Sequence, residues 1–333
     1  MPDIKRILVP TDFKWGAVQA LRHAVALADE FDAELHVLHV AVGPLDEDRG
    51  VLSFTDMEEL RNRMQEGIRQ QPTAVGLERE SARPIRYAAR RHTDSAQGIL
   101  DYAADYDIEL IVMGTRGRPV KGTHGTGSTA VKVVRRASCS VLTVGANGLF
   151  IPGLVKRILV PVNFSDHAAL ALTLARILAR RTQAHLSVLH VLEPAVQIGL
   201  LPGSFDVKAK RSVGEAYADL EQFYGRTRGP GVPHRYHVVQ GRAAEQIVAA
   251  AEQHDAHLIV QGGGSADPDS FTPGSVAEDV VGLASCPVLT ARGAGQVLTA
   301  RERQGRGKSW RDVPVRSAVR SGRSGGVLQQ DAR

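Results

Sequence analysis

An internal repeat is the sequence feature that most constrains the fold of this chain. Five short landmarks occur twice, in the same order, with offsets of 151, 151, 148, 147 and 147 residues. The landmarks are KRILVP at 5–10 and 156–161, LHV at 38–40 and 189–191, LIV at 110–112 and 258–260, Gly-Ser at 127–128 and 274–275, and Ala-Ser-Cys at 137–139 and 284–286. A period this long predicts one domain used twice, rather than a solenoid of small units.

Each copy alternates short apolar strands with segments of helical periodicity. In the first copy the strands are expected near 6–10, 35–40, 84–89, 110–113 and 140–144, and in the second the first three lie near 157–161, 186–192 and 236–240. The strands are apolar throughout instead of alternating, which is typical of parallel strands covered by helices on both faces. The sequence therefore predicts an α/β fold in which each copy is a five-stranded parallel sheet flanked by helices.

The repeat also sets the expected domain boundaries. Residues 1–147 form the first domain and 155–292 the second, and the glycine- and proline-containing segment 148–154 is the linker between them. Residues 293–333 are rich in Arg, Gly and Ser, so we expect a disordered basic tail. The tail can be read as a contact site for an anionic partner or as a solvated extension.

Composition narrows the classes of function. The formal net charge is +5, but the segment from Arg292 onward holds ten basic and three acidic residues, so the remaining body is about −2. A nucleic-acid-binding fold is therefore not indicated. Two cysteines favour a reducing cytoplasm over a disulfide framework. No signal-peptide layout and no run of about 18 apolar residues is present, so no membrane span is expected.

The stretch 110–144 has the composition of a phosphate-binding unit. An apolar strand leads into a loop with five glycines, a helical segment opens at Ser128, and another apolar strand closes the unit. Glycines let a backbone approach a ligand closely, and the free N–H groups at the start of a helix favour an anion. The pattern is neither a P-loop nor the G-x-G-x-x-G fingerprint.

The glycine spacing resembles that of a known family. Gly114, two residues, Gly117, nine residues and Gly127-Ser128, placed after a strand that ends at Met113, are similar to the G-x2-G-x9-G-S/T loop of ATP-binding universal stress proteins. The resemblance covers both copies and implies Rossmann-like, adenine nucleotide alpha hydrolase-like domains. It further implies ATP as ligand, and pairing of the two domains through their last strands as an intramolecular pseudo-dimer. A homodimer and an unidentified protein partner are further expectations.

The resemblance also implies roles for residues of the first copy. Pro10, Thr11 and Asp12 match the family's P-x-D, which places the Asp12 carboxylate near the purine and ribose, although an aspartate here could equally cap the next helix. Val40 matches the position whose backbone groups pair with the adenine edge. The remaining matches, to ribose and phosphate contacts, are Met113, Gly114, Gly117, Gly127, Ser128 and Thr129. Turn geometry for the glycines and helix capping for the serine are the simpler explanations.

The second copy departs from this pattern. Asn163 stands where the first copy has Asp12, Ser265 replaces the second glycine, and the loop is one residue shorter. Asp267 and Asp269 add negative charge where phosphates would lie, which weakens anion binding. We therefore expect one nucleotide-competent copy and one degenerate copy.

The function predicted from these features is a nucleotide-dependent stress or metabolic regulator. No catalytic constellation is evident, and only Asp12 and Ser128 are candidates to contact an accompanying Mg²⁺, so we expect slow ATP hydrolysis at most. The alternative is a nucleotide-independent scaffold with a vestigial loop. An adenylate-using enzyme would need a Ser- and Gly-rich loop after the first strand, which is lacking. Two cysteines and two histidines, Cys139, Cys286, His39 and His190, are expected to be structural, and no metal-ligand spacing is apparent.

Overall fold

The computed structural model describes residues 4–43, 62, 85–115, 128–145, 155–193, 212–263 and 276–292. The predictions for Gly117, Gly127, the linker, the loop of the second copy and the basic tail lie outside the described residues. Residues 1–294 group into one compact unit, which contains both copies.

The first copy is a parallel sheet in the order β3-β2-β1-β4-β5. Its elements are β1 (Arg6–Thr11), α1 (Trp15–Phe31), β2 (Glu34–Val42), β3 (Ile85–His92), α2 (Ser95–Asp105), β4 (Leu110–Gly114), α3 (Ser128–Arg136) and β5 (Ser140–Val144). The third strand runs to His92, three residues beyond its predicted end, because β3 pairs with β2 along its whole length.

The second copy repeats the arrangement in the order β10-β9-β6-β7-β8. Its elements are β6 (Arg157–Pro161), α4 (Asp166–Thr182), β7 (His185–Leu192), α5 (Val213–Arg226), β8 (His234–Gln240), α6 (Ala243–Gln253), β9 (Leu258–Gly262), α7 (Val276–Leu283) and β10 (Val288–Ala291). The α/β class and the parallel five-stranded sheets predicted from the sequence are confirmed.

The two sheets join into one sheet of ten strands. β5 and β10 pair antiparallel, with Leu142 opposite Leu289 and Thr143 opposite Val288. The Thr143 hydroxyl also donates to the Val288 carbonyl at 3.2 Å. The last strands of the two copies therefore contact each other within one chain, which is the arrangement that the family resemblance implies.

The hydrophobic core lies in two layers, one on each face of this sheet. Ile7 and Val9 of β1 belong to the layer under α1, α4 and α5, whereas Leu8 belongs to the layer under α2, α3, α6 and α7. The alternation follows from the strand geometry, which points successive side chains to opposite faces. Within the described residues, no helix is both long and apolar enough to span a membrane.

The two cysteines occupy equivalent places before β5 and β10, and both are free thiols. Cys139 is buried, as expected, but Cys286 is only half-buried, at the edge of the same core layer. Burial raises the pKa of the Cys139 thiol to about 12 and that of Cys286 to about 11. Both thiols are therefore poor nucleophiles at neutral pH, which agrees with a structural role.

Candidate functional site

A crevice in the first copy lies at the carboxyl ends of β1, β2 and β4, where the starts of α1, α2 and α3 converge. Its volume is about 480 Å³, within the usual range for a small-molecule site. Such crevices outside the strand ends are the usual ligand sites of open α/β sheets. Among its lining residues are the apolar side chains of Ala17, Leu38, Ile99 and Ala130.

Seven of the ten residues singled out in the sequence line this crevice. They are Pro10, Thr11, Asp12, Val40, Met113, Gly114 and Thr129. Ser128 begins α3 beside them, and Gly117 and Gly127 lie outside the described residues. Residues separated by about 100 positions in the chain are thus brought to one wall, which is the clustering that a shared ligand site requires.

The turn after β1 shows what Asp12 does in the folded chain. One carboxylate oxygen of Asp12 accepts a hydrogen bond from the Lys14 backbone N–H at 3.1 Å, and the other lies 3.6 Å from Lys14 Nζ. Lys14 is the N-cap residue of α1, and its side chain makes no cap hydrogen bond. Asp12 therefore closes the turn before the helix instead of capping the helix, and its exposed carboxylate stands at the rim of the crevice.

A histidine–phenylalanine pair fixes the same turn in both copies. Phe13 has a φ of 63°, an uncommon left-handed conformation for a bulky residue, and its ring lies 4.8 Å from that of His39. Nδ1 of His39 donates to the Thr11 carbonyl at 2.9 Å. In the second copy Phe164 and His190 repeat this geometry. A pair present in both copies supports the structural role expected for the two histidines.

Gly114 is required by close packing and not by a turn. A Cβ at Gly114 would lie 2.4 Å from the backbone carbon of Gly16, and one at Gly16 would lie 3.0 Å from the Thr115 carbonyl oxygen. In the second copy a Cβ at Gly262 would lie 2.7 Å from the backbone carbon of His167. The glycine at the end of β4 and its counterpart thus let the first turn of a helix approach the strand end.

The start of α2 supplies polar residues that sequence reasoning missed. Asp94 caps this helix by accepting from the backbone N–H groups of Ala96 and Gln97 at 2.7 and 3.1 Å. The Lys132 ammonium donates to the same carboxylate at 2.6 Å and is the main reason why the pKa of Asp94 is lowered to about 2. Asp94 before an apolar helical run is an N-cap signal that was available in the sequence. The contact of Asp94 with α3 could not be predicted from the sequence.

Next to this ion pair, two hydroxyl groups face each other at the crevice. Ser95 Oγ and Thr129 Oγ1 lie 3.1 Å apart, and both residues line the crevice and are half-buried. Thr129 is a predicted site residue, whereas nothing in the sequence pattern pointed to Ser95. The described part of the chain holds no group of three or more His, Cys, Asp or Glu residues suited to a metal ion.

The corresponding region of the second copy is built differently. Asn163 accepts hydrogen bonds from Ser165, whose own hydroxyl accepts from the Ala168 N–H at 3.2 Å and caps α4. Gln261 replaces Met113, and its buried side-chain amide donates to the Ala277 carbonyl at 2.9 Å. The Arg292 side chain packs over Gly263, so that a Cβ there would lie 2.6 Å from its Nε. Asn163 and Gln261, both hydrogen-bonded within the protein, thus stand where the first copy has Asp12 and the apolar Met113.

Comparison with known proteins gives a consistent result for both copies. The Universal stress protein family matches residues 3–145 and again 155–292. A universal stress protein of Methanocaldococcus jannaschii is 29% identical over 146 residues, which are 42% of this chain and 81% of that protein. One from Mycobacterium tuberculosis is 29% identical over 192 residues, 56% of this chain, and the chain spans only 62% of that relative's length.

A solved structure that covers most of the chain agrees with the fold. A universal stress protein from Archaeoglobus fulgidus superposes with a TM-score of 0.56 at 19% identity, covering 87% of this chain and 97% of that one. Another universal stress protein, solved in complex with cAMP, is 18% identical and covers 43% of this chain and 98% of its own, with a TM-score of 0.31. The repeat, the joined parallel sheets and the two family matches lead to one conclusion: this chain is a member of the universal stress protein family that carries two family domains in tandem.

Proposed function

We propose that the chain binds one adenine nucleotide, ATP, in the crevice of its first copy and acts as a nucleotide-dependent regulator. The observation that carries this proposal is the convergence of the sequence-selected residues on one cavity of suitable volume. The second copy is proposed to be the non-binding partner. At its strand ends, Gln261 and the Arg292 side chain occupy the region that corresponds to the crevice of the first copy.

The crevice offers different chemistry to different parts of such a ligand. Leu38, Val40 and Ile99 provide an apolar wall on which a purine ring can stack, and the backbone of Val40, two residues before the end of β2, is proposed to pair with its edge. The first N–H groups of α3, from Ser128 onward, are suited to phosphate oxygens. Asp12 at the rim would accept a hydrogen bond from the exocyclic amine or from a sugar hydroxyl.

The same residues favour binding over catalysis. Asp12 is the one carboxylate among the described lining residues, and it already faces the ammonium group of Lys14. Mg²⁺ prefers several oxygen ligands, so an ion in this crevice would arrive with the phosphates and keep most of its waters. Phosphoryl transfer also needs a positioned nucleophile and charge clamps. We therefore propose that hydrolysis is slow at most and that the bound state is what a partner protein recognises.

The test is to identify and titrate the ligand of the full chain. Purified protein is denatured and the released small molecules are analysed by mass spectrometry, and ligand-free protein is titrated with ATP by calorimetry. We expect a stoichiometry of one ATP per chain and a loss of at least about tenfold in affinity for Gly127→Leu, which places a bulky residue directly before α3. Absence of any heat with millimolar ATP would refute the proposal and favour the scaffold alternative, and two ATP per chain would refute the non-binding role of the second copy.

A further inference from the structure

The hydroxyl pair formed by Ser95 and Thr129 lies at the meeting point of two helices. Ser95 is the first residue of α2 and Thr129 is the second residue of α3, and their hydroxyl oxygens are 3.1 Å apart. The Asp94–Lys132 ion pair ties the same two helix starts together on the neighbouring residues. The pair is thus held in place by the fold and does not depend on a ligand for its position.

The hydroxyl pair lies at the outer part of the crevice. Ser95 and Ile99 are one helical turn apart on α2 and both line the crevice. Ile99 is buried in the core layer with Leu38, whereas Ser95 is half-buried at the helix start. A ligand whose base lies on the apolar inner wall would therefore place the group attached to that base beside the two hydroxyls.

The chemistry of the pair fits a neutral hydroxyl-bearing group better than a phosphate. When one hydroxyl donates to the other, one donor and several lone pairs remain available, so the pair can both donate to and accept from a ligand. A phosphate oxygen only accepts. The Asp94 carboxylate is adjacent to Ser95 and pairs with Lys132, so these two side chains add no net positive charge beside the hydroxyl pair.

The second copy lacks every element of this arrangement. By the repeat offsets, Ala243 stands in place of Ser95, Val276 in place of Thr129, and Arg242 in place of Asp94. Helices nevertheless begin here in the second copy, α6 at Ala243, the equivalent of Ser95, and α7 at Val276, the equivalent of Thr129. The hydroxyls are therefore not needed to start these helices in this fold, and another explanation for them is required.

We infer that Ser95 and Thr129 are specificity-determining residues that bind the ribose hydroxyls of the nucleotide and so select ribonucleotides over deoxyribonucleotides. The inference rests on the proposed nucleotide site in the first copy and adds to it the sugar that the site accepts. Ser95 and Thr129 contact the ligand directly, and Asp94 with Lys132 are positioning residues.

The test compares the dissociation constants of ATP, 2′-deoxy-ATP and 3′-deoxy-ATP, measured by calorimetry on the full chain. We expect at least one deoxy analogue to bind about threefold to tenfold more weakly than ATP, because each neutral hydrogen bond contributes on that order. The double variant Ser95→Ala/Thr129→Val introduces the residues of the second copy. We expect it to bind the three nucleotides equally, with the affinity of the disfavoured analogue nearly unchanged.

Two further variants separate recognition from structure. Thr129→Ser keeps a hydroxyl and should preserve the preference for ATP over the deoxy analogues. This variant also tests the inference if the double variant does not fold. Thr173→Val removes a hydroxyl that bonds only within α4 and should leave the preference intact. Binding of ATP without discrimination, or discrimination that persists in the double variant, would overturn this inference alone. Absence of ATP binding would overturn the proposed function and this inference with it.

Discussion

The two copies share the same arrangement of strands and helices and differ in the side chains at the strand ends. Leu8 and Leu159 are both fully buried at the same place in the sheet, and the strand-end glycines Gly114 and Gly262 both admit a helix at close range. The crevice linings differ instead, with Met113 in the first copy and an internally bonded Gln261 in the second. Residues that position elements are thus retained in both halves, whereas residues at the crevice of the first copy are replaced in the second.

A second difference concerns how each copy supports its outer edge. Arg176 of α4 is 7% exposed, and its guanidinium donates to four backbone carbonyls in the last turn of α5 and the segment between α5 and β8. The acceptors are Pro230, Tyr224, Thr227 and Gly229, at 2.6 to 3.2 Å. At the equivalent place in α1 the first copy has Val25, a half-buried apolar residue. One buried cation therefore organises the crossover of the second copy.

Replacement of this cation should produce the largest change in stability. Arg176→Val gives the second copy the residue of the first and leaves four carbonyl oxygens without their donor. We expect a loss of about 4 kcal/mol in the free energy of unfolding, measured by urea denaturation followed by circular dichroism, because a buried polar network is broken. Arg180→Val, on the exposed side of the same helix, should change stability by about 0.5 kcal/mol or less. Equal losses in the two variants would contradict the role of Arg176.

The contact between the copies is also unequal, although the strands that form it are equivalent. Arg135 of α3 makes two hydrogen bonds to the Glu278 carboxylate of α7, at 2.7 and 2.6 Å. The repeat places Gly282 and Val131 at the reciprocal positions, so this ion pair occurs once. A dimer of two first halves, or of two second halves, would lack this ion pair. The first half is therefore better suited to pair with the second half than with another first half.

The strength of that matching can be measured by a double-mutant cycle. The Glu278 side chain is only 9% exposed, and its two hydrogen bonds raise the pKa of Arg135. We expect Arg135→Met to lower the free energy of unfolding by about 2 kcal/mol, with a coupling to Glu278→Gln of about 1.5 kcal/mol after allowance for the exposure of Arg135. Arg292 lies near Glu278 and keeps its positive charge in these variants. The coupling energy should therefore be smaller than that of a buried ion pair with no other charge nearby.

The control for this cycle is a second ion pair between the copies. Arg181 lies 3.4 Å from Glu30, but both side chains are about 40% exposed. Double-mutant coupling there should be about 0.5 kcal/mol or less and should decrease in salt. If the two pairs gave the same coupling energy, burial of Glu278 would not be what strengthens the contact between the halves.

These contacts also show where sequence reasoning reaches its limit. The repeat and the apolar strands predicted the fold because each strand carries its own signal in a few adjacent residues. The ends of β1, β2 and β4 could be assigned to one site because parallel topology brings strand ends to one edge. Arg176, Ser95 and the Arg135–Glu278 pair could not be predicted, since their meaning depends on partners 34 to 143 residues away in the chain. The alternative roles of Asp12 needed the geometry of the turn to be separated.

The start of α2 and that of α6 provide the finest comparison between the copies. In the first copy the cap is local, because the Asp94 carboxylate accepts from the N–H groups of Ala96 and Gln97, and the same carboxylate also accepts from Lys132 of α3. In the second copy Arg242 offers no cap, and the Ala243 N–H is instead bonded by Glu193, 50 residues away, at 3.1 Å. The exposure of both carboxylates limits what either can contribute.

The effect of the local cap should depend on pH in a defined direction. The pKa of Asp94 is about 2 in the folded chain, below the value of about 3.9 for an unfolded aspartate. Its ionised form therefore stabilises the fold fully above about pH 4, and the stabilisation is lost as the pH falls toward 2. We expect Asp94→Ala to lose about 1 kcal/mol at neutral pH, a difference that shrinks in acid, whereas Glu193→Ala should lose about 0.5 kcal/mol. Asp94→Asn keeps the two backbone bonds but carries no charge, so urea unfolding between pH 7 and 3 should show a smaller loss at pH 7, which also shrinks in acid because only the wild-type side chain titrates. A penalty for Asp94→Ala that grows as the pH falls would show that the carboxylate is not what holds the two helix starts together.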